Sequence, residues 1–511
     1  MNSVVDPWGT GPLSNRPLPD ADVIIIGAGP AGMTAAVDLA AAGRKVIVLD
    51  MQAAPGGQVF RALGANLDAR PATDDLFAAL GPAYSAGEGL IRSFQSATGI
   101  DYRPETTVWD LRADGTVGWL REGNAGYIRA RHVLLATGAM ERPVPFRGWT
   151  LPGVMTAGAV QTLIKAGRLH PEGRIVLAGT GPLIFLLADQ LRRLGVKPVL
   201  IARTDRLRDK LAALPYLRLR ALPQVLKGFG WLAQLRLAGI PMRTGVTGLA
   251  ANGRDRVERV SVVIRGKTVD IPCDLLIVHD GIVPATDLAH AAGIELAWQQ
   301  AEAGWSPVTQ TDGLAVTAPG PALTEGPCRI YISGDARRIE GADAAIAHGK
   351  YAAQAILAAL RGDANEQHMP KTLANVQASL APRPFLDRAF PPGLAARLPK
   401  DETIVCRCEE VTAGAIRAEI CKGATDINLL RGTLRCGMGC CQGRKCAATV
   451  ARLLAEADPK ASPSPAPFRA RPPARPIPLG ALARLMGADP ALAEIISLQD
   501  KPVAMGDEPD A

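Results

Sequence analysis

Seven of the chain's nine cysteines fall within 41 residues: Cys406, Cys408, Cys421, Cys436, Cys440, Cys441 and Cys446. The other two, Cys273 and Cys328, lie beside apolar strands and read as buried small hydrophobes. The start of the chain (MNSVVDPWGTGPLSNRPLPDA) has no basic opening, apolar core or cleavage site, so it does not read as a secretory signal. Without one, clustered cysteines are expected to be metal ligands rather than disulfides. Four thiolates hold either a [2Fe–2S] cluster, two on each iron, or a zinc ion. The CxC pair at Cys406 and Cys408 fits on one turn, and the glycines around Cys441 free backbone N–H groups to face sulfides. Such hydrogen bonds stabilise the reduced, more negative cluster.

A second set of residues with chemistry to do opens the chain. Residues 22–61 read DVIIIGAGPAGMTAAVDLAAAGRKVIVLDMQAAPGGQVFR. An apolar run feeds into Gly27, Gly29, Pro30, Ala31 and Gly32, an Ala/Leu-rich helix follows, and a second apolar run ends at Asp50 and Met51. Strand, glycine turn, helix, strand and acid together specify a dinucleotide site. The helix N-terminus turns free N–H groups and a partial positive charge toward a pyrophosphate, and Asp50 is placed to accept from a ribose. Gly56, Gly57 and Gln58 follow the second strand. Ala136, Thr137 and Gly138 close a later strand, and Gly334 and Asp335 end another before a small-residue helix from Ala342. In this order the motifs resemble the FAD domain of the two-dinucleotide-domain flavoproteins that include thioredoxin reductase. The resemblance spans about residues 20–375 and implies an α/β fold with FAD on these residues.

A second strand–turn–helix–strand begins at Gly173, with Gly179 and Gly181 in the turn and Ile184 at the third glycine position. Relatives hold NAD(P)H there. The branched Ile184 crowds that packing, and the next strand ends at Arg203 with no carboxylate. Two readings stand: Arg203 suits a 2′-phosphate, or the fold holds no nucleotide. The Leu-, Arg- and Pro-rich stretch 207–237 reads as one or two amphipathic helices, either a helical arm for subunit contact or a surface flap. His279, at the end of the strand from Leu275, is either a catalytic base or a structural histidine.

The 511 residues leave room for two to four domains, and 48% hydrophobic with 21% charged residues is ordinary globular composition. Short alternating segments from Val108 to Tyr127 read as a β-meander. No run of about 18 apolar residues marks a membrane span. The net charge of +8 does not indicate nucleic acid, because the basic stretches Arg203–Lys227 and Arg469–Arg484 carry a single aromatic residue between them, Tyr216, and so no run of stacking platforms. An acidic protein partner or a phosphate group suits them better.

The cysteine segment resembles the bacterioferritin-associated ferredoxin type of [2Fe–2S] domain. CRCEEVTAG and GMGCCQGRKC match its motifs, which assigns the ligands to Cys406, Cys408, Cys441 and Cys446 and leaves Cys436 and Cys440 as extras. An adjacent flavin favours iron–sulfur over zinc, since electrons leaving a flavin singly need an acceptor. GGQVFR, ATGAMERPVPFRGWTLPGVMTAGAVQ, GTGPL, HDGIVPAT and the terminal cluster make nearly the whole chain resemble one group. It comprises the α subunits of heteromeric opine oxidases and D-hydroxyproline dehydrogenases, and the similar B chain of hydrogen cyanide synthase. That resemblance implies a glycine- or sarcosine-oxidase-like flavoprotein β subunit that binds the amine, a small ferredoxin-like γ subunit, and an FMN at a subunit interface. It implies a cytoplasmic location, peripheral to the inner membrane where the electron acceptor lies there.

The expected order is an N-terminal arm (1–19), an FAD domain (20–160 and 289–375) interrupted by a second nucleotide domain (161–288), a linker (376–400), the [2Fe–2S] domain (401–456) and a Pro-rich arm (457–511) laid on a partner, with the last dozen residues disordered. Three functions follow: an electron-relaying subunit of an amine, opine or hydroxyproline dehydrogenase, a self-contained NAD(P)H-dependent reductase, or a scaffold with structural cofactors.

Overall fold

The computed structural model describes residues 20–69, 75–309, 315–316, 328–362, 370–394, 397–457 and 466–487. The expected N-terminal arm and the last dozen residues lie outside the described residues. The first domain is built on a sheet whose strands run in the order 315–316, 329–332, 124–135, 21–26, 46–49 and 100–103. Ala21–Ile26 pairs in parallel with Val46–Leu49 on one side and Asn124–Leu135 on the other, and Arg329–Ile332 adds in parallel beyond. Parallel strands need crossovers that cover both faces, so these strands are apolar almost throughout. Helices Pro30–Ala41 and Ala342–Arg361 cover one face. The antiparallel meander Thr107–Leu111, Thr116–Arg121 and Asn124–Leu135 covers the other, where the sequence expects it.

The second domain carries a wholly parallel sheet in the order 242–243, 200–203, 175–180, 275–280 and 154–156, flanked by a three-stranded antiparallel sheet (246–252, 259–264, 267–272). The chain enters and leaves this domain through a short antiparallel ribbon, Ala139–Glu141 against Ile282–Pro284. This is the two-nucleotide-domain α/β architecture expected from the motifs.

Residues 376–400 carry the helix Arg383–Ala389, which packs against helix Leu207–Ala213 of the second domain. The cysteine segment folds as a hairpin (404–406 with 411–412) and three helices, Ala413–Cys421, Ile427–Leu434 and Ala447–Ala457, around their own small core. The indole of Trp149 ties it to the second domain by donating to the Ile404 carbonyl (2.7 Å). From residue 466 the Pro-rich arm lies on its own chain. Phe468 O bonds the His290 ring, the Ala474 N–H donates to Trp109 O (2.7 Å), and Arg475 pairs with Asp287. The arm therefore straps the cysteine domain to the first domain, and its closing helix, Leu479–Gly487, packs on strand 124–135.

Candidate functional site

A cavity of about 830 Å³ runs from the first glycine turn to the junction of the two domains. Gly27, Gly29, Pro30, Ala31, Asp50, Met51, Gly57, Gln58, Ala136, Thr137, Gly138 and Asp335 all line it. Gly32 and Gly334 stand behind it, where they permit packing. A Cβ on Gly32 would lie 1.9 Å from Gly27 O, and one on Gly334 would lie 3.0 Å from Ala31 Cβ. Gly27 has φ +107°, and its Cβ would meet Ala136 O at 2.4 Å, so the turn tolerates only glycine. Gly29 is different. Its φ of −77° suits any residue, and a Cβ there would meet nothing nearer than Gly57 Cα at 3.9 Å. That open space sits at the N-terminus of helix Pro30–Ala41, where no side chain caps the free N–H groups.

Asp50 is held in place by its neighbours. Ala28 N–H donates to Oδ2 (2.6 Å) and Gln52 N–H to Oδ1 (2.7 Å), and each oxygen keeps a lone pair for a ribose hydroxyl. Burial raises the Asp50 carboxyl above its usual range, opposed by the Gln52 and Ala28 N–H groups and by Arg61. Asp335 Oδ1 accepts from Glu340 and Gly341 N–H (2.8 and 3.1 Å), which fixes the start of helix Ala342–Arg361 at the cavity wall. Beside it the Ser333 hydroxyl is buried with no partner among the described residues and belongs to a cavity-lining residue. An uncapped helix start, an open glycine, a poised carboxylate and an unpartnered hydroxyl fit a bound dinucleotide.

Other cavity residues carry no local sequence signal. Lys165 Nζ donates to the carbonyls of Gln58 and Val59 (both 3.0 Å), so it pins the loop after the second strand. Burial, with Arg61 nearby, lowers its amine to about 8. Glu141 Oε1 accepts from Gly158 N–H (2.6 Å) and Oε2 bonds His279 Nδ1 (2.9 Å), which joins the interdomain ribbon to two elements of the second domain. His279 thus lines the cavity buried and bonded to the part-buried Glu141 rather than as an isolated strand-end residue.

The second glycine turn opens on the same cavity through Thr180, Gly181, Pro182 and Leu183, whereas the end of the next strand, at Arg203, is packed by the protein's own residues. Ile184 is buried under helix Pro182–Arg193, and the His279 ring lies against Gly181. Arg203 pairs with buried Asp205 (3.2 Å) and stacks over Phe185 (4.8 Å). Lys210 also bonds Asp205 (3.1 Å) and sits on the Phe390 ring. Gly393 presses on the Thr204 side chain, and the Gly393 and Leu394 N–H groups donate to Asp280 Oδ1 (3.0 and 3.1 Å). The place where a 2′-phosphate would meet Arg203 is therefore held by an internal ion pair, beneath a loop from residues 390–394.

In the cysteine domain, Cys406, Cys436 and Cys446 are buried and their sulfurs lie within 4.8 Å of one another. Cys408 Sγ is 3.9 Å from Cys440 Sγ. Cys441 is half-buried, and burial together with Cys408 raises its thiol. Hydrogen bonds from Cys436 and Cys446 pull the Cys406 thiol far down, and the Gly437 and Glu409 N–H groups assist. The same hydrogen bonds to Cys406, with burial, push Cys436 up to about 12 and Cys446 well above its usual value. Three thiols this close cannot all ionise without a cation among them, so the donor set fits a thiolate-bound metal or cluster. Of the four cysteines that the motifs single out, Cys406 and Cys446 meet directly, and Cys408 and Cys441 influence each other on the outer side. Cys436, an extra in the motif, lies with the buried pair. The Phe468 ring of the arm seals this site, within 2.7 Å of where a Cβ on Gly437 or Gly443 would be.

The pyridine nucleotide-disulphide oxidoreductase family matches residues 21–349, and the sarcosine oxidase A3 domain matches residues 400–485. The A chain of opine oxidase from Agrobacterium tumefaciens is 39% identical over 478 residues, which covers 91% of this chain and 92% of that protein. The chain belongs to the family of opine oxidase A chains. The opine oxidase A chain of Rhizobium meliloti is 40% identical over 479 residues, covering 91% of this chain and 87% of that protein. The HcnB chain of hydrogen cyanide synthase from Pseudomonas aeruginosa is 33% identical over 445 residues, covering 83% and 90%. Among solved structures, L-proline dehydrogenase from P. horikoshii shares the fold with a TM-score of 0.63 at 20% identity, over 90% of this chain and 79% of that one. Membership of the opine oxidase family makes the chain an oxidoreductase and a flavoprotein, with FAD implied in the first cradle.

Proposed function

We propose that the chain is the electron-relaying subunit of a heteromeric dehydrogenase that oxidises a CH–NH bond in a secondary amine or amino acid, of the opine or hydroxyproline class. The observation that carries this reading is a flavin cradle and a set of clustered thiols on one chain whose Arg203 is committed to Asp205 rather than open to a nucleotide phosphate. The helix start at Gly29 to Ala31 would hold the FAD pyrophosphate, Asp50 a ribose, and the Gly334–Asp335 turn the chain between them. Cys406, Cys408, Cys441 and Cys446 would hold a [2Fe–2S] cluster. When bound, the flavin exchanges electrons in pairs or singly, and the cluster takes them one at a time.

The protein's part is to orient and to exclude water. Lys165 fixes the Gln58 loop, the Glu141–His279 pair locks the ribbon between the domains, and Phe468 shields the cysteines. Substrate oxidation would lie mainly on a glycine- or sarcosine-oxidase-like β subunit, with a small ferredoxin-like γ subunit completing the complex. A second cavity ringed by Arg142, Arg431, Arg444, Lys445 and Arg452 supports an FMN at a subunit interface, because FMN ends in a phosphate dianion. Co-expression with the β partner tests the reading. Amine-dependent dye reduction should require both subunits; full amine oxidation by the β partner alone, with this chain adding no electron transfer, would refute it.

A further inference from the structure

Residues 207–237 present an apolar surface that nothing in the described chain covers. Leu207, Leu211, Leu214, Tyr216, Leu219 and Leu222 are exposed along two short turns and helix Leu207–Ala213. Helix Leu222–Leu237 continues the surface. Its Leu222, Leu226, Phe229 and Leu237 recur at helical spacing on one outward stripe, and Phe229, Leu226 and Leu237 are 62%, 64% and 82% exposed. Its other side is anchored by fully buried Leu235 and by Trp231, packed into the main core. A helix apolar on both sides is normally buried on both sides.

The charges set among these residues are almost all of one sign. Arg208, Arg218, Arg220 and Arg236 belong to the stretch, and Arg388 sits over the Tyr216 ring at 4.8 Å. Asp209, the sole acid from 207 to 237, is committed to the start of its helix, where it accepts from Arg206 N–H (2.7 Å). At 16 residues the longer helix is too short to span a bilayer, and no described helix is long and apolar enough to cross one. Leucine and aromatic side chains beside arginines, on helices of this length, have the chemistry of an in-plane membrane helix. Anionic headgroups supply charge complementarity and acyl chains supply the apolar medium, whereas a protein partner would have to bring both an apolar face and a ring of acids.

We propose that the 207–237 insert docks the protein on the surface of an anionic lipid bilayer, with the Leu222–Leu237 stripe dipping into the interface. The inner face of the same helix carries Lys227 and Trp231, which line the flavin cavity, so docking sets the mouth of that cavity beside the membrane. The proposal is independent of which amine is oxidised.

The test is vesicle flotation of the purified full-length protein, with its partner subunits where they co-purify. The vesicles are phosphatidylcholine alone or phosphatidylcholine mixed with phosphatidylglycerol. The parent should float with the anionic vesicles and about tenfold less with the neutral ones. The double substitutions Leu226→Glu/Phe229→Glu and Arg218→Glu/Arg220→Glu should each cut flotation about tenfold or more. Flavin content, melting temperature and subunit co-purification should stay unchanged. No flotation of the parent, or variants that float like it, overturns the proposal. So does loss of a partner subunit or of self-association in the variants, which would put a protein on this face.

Discussion

Replacing each glycine of the first turn by alanine separates the cofactor role from the packing role. Gly27→Ala forces a side chain at φ +107° and puts Cβ 2.4 Å from Ala136 O, and Gly32→Ala puts it 1.9 Å from Gly27 O. Both substitutions strike backbone, which cannot yield cheaply, so both should destabilise the fold by about 3 kcal/mol or more. Gly29→Ala has φ −77° and its nearest neighbour at 3.9 Å, so the apoprotein should keep its stability to within about 1 kcal/mol. The new methyl instead occupies the space over the helix N-terminus, where it holds the pyrophosphate off the N–H groups. Losing one charge-assisted hydrogen bond there costs about 1.5–3 kcal/mol, which is at least tenfold in Kd. The assay is titration of apoprotein with FAD by flavin fluorescence quenching, alongside thermal melts of the apo forms. If Gly29→Ala binds FAD as tightly as the parent, the pyrophosphate does not lie over Gly29 and the reasoning fails.

Lys165 gives a pH signature. Its folded pKa is lowered to about 8 from 10.5, so between those values the unfolded chain binds more protons and stability rises with pH. Relative to Lys165→Met, the parent should gain up to about 1.4 kcal/mol per pH unit across that window in urea unfolding, and parallel curves would contradict this. For the sulfur site, motif and geometry part over Cys436. We expect Cys408→Ser and Cys441→Ser to abolish the visible iron–sulfur absorbance and bound iron, and Cys436→Ser to retain them. The reverse pattern would make the buried trio of Cys406, Cys436 and Cys446 the core of the site.

The first nucleotide fold was legible because its information is local. A strand, a turn that only glycine tolerates, a helix and an acid are contiguous, and residues 21–50 form them in the expected order. The departures at Ile184 and Arg203 were legible for the same reason, but the partners that hold Arg203 were not. Asp205 is two residues from Arg203, yet the Phe390–Leu394 loop comes from some 190 residues downstream, and no periodicity announces such a contact. Lys165 looks like any lysine on an amphipathic helix until tertiary packing buries it. The Glu141–His279 pair joins residues 138 apart, which left the histidine's role open in the sequence. The Pro-rich arm reads as extended from composition, but composition does not say on what it lies, and Phe468 and Ala474 place it on the chain itself.

On the proposed function, this chain takes its electrons from a neighbouring subunit's amine chemistry rather than from a nicotinamide. Anaerobic visible spectroscopy of the purified chain, first with NADH and NADPH and then with the co-expressed β partner and an opine or hydroxyproline, tests it most directly. Neither nicotinamide should bleach the chain, and the flavin and cluster bands should be lost only once partner and amine are both present. Rapid bleaching of the chain alone by NADH or NADPH would contradict it and make the protein a self-contained reductase.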